Sequence, residues 1–266
     1  MKVAVIQLNA GSDKEKNVER ACSLVEKAAR HHAQFVLLPE VFVFRGIQPP
    51  KTLWRDIAEP IPGPTIKRLA SFARKHAIFI LAGSIFEKSP IRGKVYNTSV
   101  FIDDKGKITG RYRKMNLFHA ALGKKKFVES KIFLAGKKET MVVCDGLNVG
   151  LSICYDVRFP ELYRTYGRLG ADVLCVPSAF TSKTGQAHWE PLVRARAIEN
   201  LCYVLAPNQI GKDNRGVKCF GHSLIVDPWG RVLARGSGGK EEILYAHLDK
   251  TAITQARMTL PSIRRK

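Results

Sequence analysis

The sequence predicts a mixed α/β protein of 266 residues built on one mixed sheet or on two sheets. Short β-type runs recur from residues 2–8 to residues 243–248, and amphipathic helical patterns separate several of them. Two turn signals, Asp103-Asp104-Lys105-Gly106 and Asp227-Pro228-Trp229-Gly230, join other runs as hairpins. Helix-linked strands point to parallel pairing and hairpin-linked strands to antiparallel pairing, so both are expected. No linker-like or repetitive stretch divides the chain, which reads as one domain over residues 1–266.

In chain order, residues 2–8 form the first strand, followed by a helix over about residues 13–31. Ser12 and Glu15 read as its capping box, and Val18, Ala21, Cys22, Val25, Ala28 and Ala29 repeat at helical spacing. A strand over 34–38 precedes a helix that begins near Pro64 and turns Ile66, Leu69, Ala70 and Ala73 inward. Strands over 78–86, 96–102 and 107–114 follow, the last two joined by the Asp103 turn. A strand over 148–153 leads to a helix from near Pro160 carrying Tyr163, Tyr166 and Leu169. After a strand over 172–177, a helix carries Leu192, Ala195, Ile198 and Cys202, with Pro191 in its first turn, where a missing N–H is tolerated. Strands over 202–207, 221–227 and 243–248 complete the pattern.

Bulk properties exclude several classes. Apolar residues at 45% rule out a disordered chain, and no apolar run approaches the length of a membrane span. The opening apolar stretch is too short for a signal peptide, and Asp13, Glu15 and Glu19 argue against a transit peptide, so a soluble cytoplasmic protein without membrane partners is expected. The cysteines, Cys22, Cys144, Cys154, Cys175, Cys202 and Cys219, contain no Cys-x-x-Cys pair and read as reduced thiols. The seven histidines show no zinc spacing, and no metal site is expected. The net charge of +21 raises the possibility of a nucleic-acid partner. However, the basic residues are spread along the chain, with small clusters only at Lys124-Lys125-Lys126, Lys137-Lys138 and Arg264-Arg265-Lys266. No aromatic RNA-binding motif, zinc finger or helix-turn-helix accompanies them. A solvated basic surface with no specific nucleic-acid partner is expected.

Common catalytic motifs fail. Gly221-His222-Ser223-Leu224-Ile225 lacks the closing glycine of a nucleophile elbow, and there is neither a phosphate loop nor a dinucleotide fingerprint. Three polar residues instead stand at the ends of β-type runs. Glu40 follows Phe35-Val36-Leu37-Leu38-Pro39, Lys114 follows the run ending in Tyr112-Arg113, and Cys154 follows Val149-Gly150-Leu151-Ser152-Ile153. Active sites of open α/β sheets gather beyond strand carboxyl ends. A thiol beside a lysine and facing a helix N-terminus is biased toward thiolate, and a carboxylate can accept and return its proton. Taken singly, each residue also has an ordinary reading: Cys154 as core, Lys114 as a solvated charge, Glu40 as a loop carboxylate or cap. Spacing does not decide whether they converge.

Leu37-Leu38-Pro39-Glu40, Tyr112-Arg113-Lys114 and Ser152-Ile153-Cys154-Tyr155-Asp156-Val157-Arg158-Phe159-Pro160-Glu161-Leu162 resemble the three signature segments of the nitrilase superfamily of carbon–nitrogen hydrolases. The similarity continues through Gly170-Ala171-Asp172, Pro177-Ser178-Ala179-Phe180 and Asp227-Pro228-Trp229-Gly230. Residues 184–190, followed by Arg194-Ala195-Arg196-Ala197-Ile198-Glu199-Asn200, resemble the branch of small amidases that hydrolyse deaminated glutathione. The resemblance implies a four-layer α-β-β-α sandwich and hydrolysis of a small carboxylate-bearing amide through a thioester, without metal or organic cofactor. Deaminated glutathione is the first substrate it implies. Alternatives are 2-oxoglutaramate, nitriles and N-carbamoyl compounds, and, from another class, a nucleic-acid-binding role.

The resemblance also assigns roles. Glu40 becomes the general base and later acid, Cys154 the nucleophile and Lys114 an oxyanion stabiliser. The N–H of Tyr155 becomes a second oxyanion donor, Glu129 an auxiliary carboxylate beside the triad, and Phe180 a binding residue. Arg158, Glu161, Arg194, Arg196 and Glu199 read mainly as structural ion pairs, while His188 and Trp189 either rim the pocket or pack the start of a helix. Where the family commonly has Lys-x-His-Leu-Phe-Asp, this chain has Lys114-Met115-Asn116-Leu117-Phe118-His119, so the pocket wall beside the lysine differs. A homodimer or higher homo-oligomer is expected, with Tyr166-Gly167-Arg168-Leu169 and the last ~15 residues, a tail containing Thr259-Leu260-Pro261-Ser262-Ile263, at the contact.

Overall fold

A computed structural model describes residues 1–46, 54–122 and 125–263. Its first part runs β1 (Lys2–Gln7), α1 (Lys14–Arg30), β2 (Phe35–Leu37), α2 (Trp54–Ile57), α3 (Pro64–His76), β3 (Phe79–Leu81), β4 (Ile85–Lys88), β5 (Val95–Ile102) and β6 (Ile108–Arg113). A ribbon of β7 (His119–Leu122) and β8 (Lys125–Val128) precedes β9 (Phe133–Leu134), β10 (Thr140–Cys144) and β11 (Leu147–Leu151). The chain continues through α4 (Pro160–Arg168), β12 (Val173–Cys175), α5 (Ser182–Asn200), β13 (Tyr203–Ala206), β14 (Leu224–Val226), β15 (Val232–Arg235), β16 (Glu242–His247) and α6 (Lys250–Thr259). Short 3₁₀ turns lie at Glu129–Lys131 and Cys154–Arg158.

Two sheets share one plan. The first has the order β16-β1-β2-β3-β5-β4, with β6 and β9 also paired to β5, and the second has the order β10-β11-β12-β13-β14-β15. Each has three parallel strands at its centre, β1-β2-β3 and β11-β12-β13, with helical crossovers between successive members. Hairpin partners flank them, so the mixed pairing expected from the sequence is present in both sheets.

The layering follows from the two-residue period of the strands. Val3, Val5, Phe35, Leu37, Leu81 and Phe101 belong to one core with Val149 and Leu151 of the second sheet. Their neighbours Ala4, Ile6, Val36, Leu38, Ile80 and Val100 form another with Val18 and Val25 of α1 and Ile66 and Leu69 of α3. On the far side, Tyr163 and Tyr166 of α4 and Trp189, Val193 and Ala197 of α5 cover the second sheet. The result is the four-layer α-β-β-α sandwich. Each buried Val or Leu contributes roughly 1.5–3 kcal/mol relative to exposure, which drives the stacking.

Several local expectations are corrected. Asp13, rather than Ser12, caps α1, its carboxylate accepting from the Lys16 N–H at 3.1 Å. The run 78–86 is two strands, broken at Gly83. Helix α5 begins nine residues before Pro191, which is interior. Pro191 and Ala187, whose carbonyl loses its i+4 donor, are both exposed, while buried Trp189 and Val193 flank the interruption. The two hairpins form as read: the Asp103 and Asp227 carboxylates each accept two backbone N–H bonds within their turns. Helix α6 covers much of the expected tail and is anchored by buried Ile253 and an Arg257–Asp172 ion pair of 3.2 Å. Lys124 and the Arg264-Arg265-Lys266 cluster lie outside the described residues.

Candidate active site

Glu40, Lys114 and Cys154 come together just beyond the carboxyl ends of β2, β6 and β11, with exposures of 4%, 1% and 9%. The Lys114 ammonium donates to Glu40 Oε1 at 2.9 Å and to Glu129 Oε1 at 3.1 Å. Glu129 is held in turn by the Phe118 N–H at 2.7 Å. Glu40 Oε1 also accepts from Asn97 Nδ2 at 2.9 Å, and its Oε2 from the Ala179 N–H at 2.9 Å. Its own carbonyl accepts from buried Gln209 Nε2 at 2.9 Å. Asn97 thus grips Glu40 by its side chain and Lys114 by its backbone carbonyl, which accepts the lysine N–H at 2.9 Å.

Cys154 opens a 3₁₀ turn in the left-handed region, at φ +47°, a conformation costly for a residue with a Cβ. Its N–H donates to Pro177 O at 2.9 Å, tying the turn to the loop that supplies Ala179. The kink sets the thiol beside the Glu40 carboxylate. Burial, joined by the neighbouring Glu40 carboxylate, pushes the thiol pKa well above the ordinary cysteine range. The expected bias toward thiolate is therefore corrected: burial and the facing carboxylate outweigh Lys114, and the residue opens a five-residue 3₁₀ turn rather than a long helix. Burial also works against the Lys114 charge, but Glu129 and Glu40 outweigh it and hold the ammonium above the usual lysine range. Burial, with Glu40 adding to it, raises Glu129 despite its contact with Lys114.

These groups line a cavity of about 390 Å³, together with Tyr155, Arg158, Phe180, Thr181 and Thr184. Phe44, Trp54, Phe86 and Phe133 form an aromatic wall on another side. Arg158 departs from the expected ion-pair role. Among the described residues its charge meets no carboxylate; its guanidinium lies 5.0 Å from the centre of the Phe180 ring and 3.2 Å from His188 Nδ1. Arg196 does pair with Glu199 at 2.8 Å, and Arg194 approaches Glu190 at 3.8 Å. Trp189 is buried beneath Phe180, its indole N–H donating to His222 O at 2.7 Å, and His188 is exposed outside the cavity lining. Of residues 184–190, Thr184 faces the cavity.

Sequence reasoning missed Asn97 and Asp156. Asn97 opens the polar run Asn97-Thr98-Ser99 within a strand, and Asp156 lies two residues past the cysteine; neither local pattern singles the residue out.

Residues 2–258 match the family model for carbon-nitrogen hydrolases. The chain is 39% identical over 266 residues to an omega-amidase NIT2 of Mus musculus, covering 100% of this chain and 94% of that protein. It is 40% identical over 267 residues to a deaminated glutathione amidase of Synechocystis sp., covering 99% of this chain and 97% of the relative. The crystal structure of the C. elegans NitFhit protein superposes with a TM-score of 0.90 at 38% identity, over 98% of this chain and 63% of that longer one. Buried carboxylate, ammonium and thiol at converging strand ends thus occur in a chain that belongs, over nearly its whole length, to the carbon–nitrogen hydrolase family of the nitrilase superfamily, and it is a hydrolase of carbon–nitrogen bonds.

Proposed function

We propose that the enzyme cleaves the ω-amide of an α-keto dicarboxylate, with deaminated glutathione first and 2-oxoglutaramate second. The observation that carries this reading is Arg158: a cation on the cavity wall, four residues past Cys154, stacked on Phe180 and without an acid partner among the described residues. Such a guanidinium suits a substrate carboxylate, and the Thr184 hydroxyl stands in the same lining.

In the proposed reaction Cys154 Sγ attacks the amide carbon while Glu40 takes the thiol proton. The carbonyl oxygen becomes an oxyanion facing the Lys114 ammonium and the Tyr155 N–H. Glu40 returns the proton to the nitrogen, the C–N bond breaks, and amine or ammonia departs from a thioester. Glu40 then deprotonates a water that attacks the thioester carbon, and the thiolate leaves and recovers the proton. Glu129 keeps Lys114 in place throughout. The raised thiol pKa fits this scheme, because attack is coupled to proton transfer rather than preceded by ionisation.

The proposed assembly is one carbon–nitrogen hydrolase domain that dimerises through α4 and α5, where Leu169 and Ile198 are 54% and 44% exposed, with the end after α6 on the partner subunit. A cytoplasmic location suits its six free, buried cysteines.

The test compares kcat/KM for deaminated glutathione, 2-oxoglutaramate, an aliphatic nitrile and an N-carbamoyl amino acid in one buffer. The keto-acid amides are expected to lead, and Arg158→Met to cost them about 10- to 100-fold, the scale of a lost charge-assisted hydrogen bond. A nitrile or N-carbamoyl compound ahead by tenfold overturns the substrate assignment.

A further inference from the structure

The geometry points to Asp156 as the positioning residue that sets Lys114 against Cys154. Its side chain is completely buried, and both carboxylate oxygens are filled by donors. Oδ2 accepts from the Tyr112 hydroxyl at 2.7 Å and from the Ile153 N–H at 2.9 Å. Oδ1 accepts from the N–H and the side-chain Nδ2 of Asn116, both at 2.9 Å.

The placement of these donors matters more than their number. Tyr112 and Asn116 bracket Lys114 at two residues on either side. Ile153 immediately precedes Cys154, and Asp156 itself lies two residues beyond it. One carboxylate therefore clasps the lysine segment from both sides and binds it to the start and the middle of the nucleophile turn. Those segments come from different sheets, β6 from the first and β11 from the second, so no backbone ladder fixes their spacing. An acid this deep persists only where its lone pairs are met, as they are here. Burial raises the pKa of Asp156, with Tyr112 and the two backbone N–H groups opposing. The group touches neither the proposed reacting atoms nor solvent; it acts through the residues it holds. Oxyanion stabilisation depends steeply on placement, and an error near 1 Å costs on the order of 10²-fold in rate. Asn116, where the sequence departs from the family's usual pattern, thereby becomes part of the clasp.

This inference rests on the amidase reading, so the experiment separates the two. Intact-mass analysis of the full-length wild type with a slowly turned-over amide substrate first tests for an acyl adduct on Cys154; without one, the reading and the clasp fall together. With one, Asp156→Asn is assayed with active sites counted by iodoacetamide labelling of Cys154. The expected result is that kcat and kcat/KM per labelled site fall together by about 10- to 100-fold, with KM within about threefold, because an interaction realised in the transition state has been displaced. A purely structural role would lower the number of active sites and leave kcat per site within twofold of wild type, which overturns the proposal. If Asp156→Asn does not fold, Tyr112→Phe and Asn116→Ala carry the test. Each is expected to lower kcat per site by at least about threefold, with Asn116→His recovering part of the loss, and unchanged kcat in both overturns the clasp.

Discussion

Cys154 is held as a thiol at rest by burial and by the Glu40 carboxylate beside it, so the proposed nucleophile depends on Glu40 rather than on spontaneous ionisation. Cys154→Ala is expected to abolish turnover while far-UV circular dichroism stays native. Glu40→Gln is expected to lose at least about 10²-fold in kcat, the scale of a missing general base. The same substitution removes the charge that opposes ionisation, so iodoacetamide alkylation of Cys154 should shift to lower pH in Glu40→Gln. An unshifted profile would contradict the assigned coupling between the two groups. The surroundings of Glu40 suit one carboxylate to both proposed proton transfers. Glu40 Oε1 accepts from Lys114 and Asn97, whereas among the described residues the Ala179 N–H, at 2.9 Å, is the donor that meets Oε2, which leaves capacity for a proton that moves.

At the scale of elements, the joint between β3 and β4 decides where Glu40 stands. Gly83 has φ +21°, and a Cβ there would collide with the carbonyl oxygens of Pro39 and Leu38, the two residues before Glu40. Ser84 then accepts the Val41 N–H at 2.9 Å, so the loop carrying Glu40 is pinned on both sides. Gly83→Ala is expected to destabilise the fold by about 2 kcal/mol or more, read from urea unfolding, because the opposing atoms are backbone and do not yield as a side chain would. Its folded fraction should also lose activity through a displaced Glu40; a variant with wild-type midpoint and wild-type kcat would show that this close approach is dispensable.

For the whole molecule, the thiols set an alkaline limit. Burial pushes Cys22 and Cys219 up to about 11, and Cys144, Cys175 and Cys202 higher. In the unfolded chain they ionise near 8.5. Between those values the folded state keeps protons that the unfolded state has released, so ν_U − ν_N is negative and stability falls as pH rises. For a fully buried thiol such as Cys219 the slope reaches about 1.4 kcal/mol per pH unit within that window. Urea midpoints under reducing conditions should therefore drop between pH 8 and pH 10.5, and a flat or rising midpoint would contradict the assigned burial.

Much of this protein is determined by its sequence alone. Period-two apolar runs, helix-length amphipathic segments and Asp-Gly turns dictate strands, helices and hairpins through local sterics and one-sided burial, and the structure realises them nearly in place. The segments around Glu40, Lys114 and Cys154 identify the family, and each of the three residues follows the end of a strand. What only the tertiary structure decided lies in contacts between residues far apart in the chain. The protonated thiol arises from burial between the sheets, reinforced by a carboxylate 114 positions away in sequence. Helix α5 continues through Pro191 because Trp189 and Val193 are packed on the second sheet, which local propensity does not register. Arg158 reads as one more ion-pair cation until the fold sets it over Phe180 with no acid near it among the described residues. Asp156 and Asn97 acquire meaning only when two sheets bring their partners within hydrogen-bond reach, since sequence separation carries no information about which buried polar groups will meet.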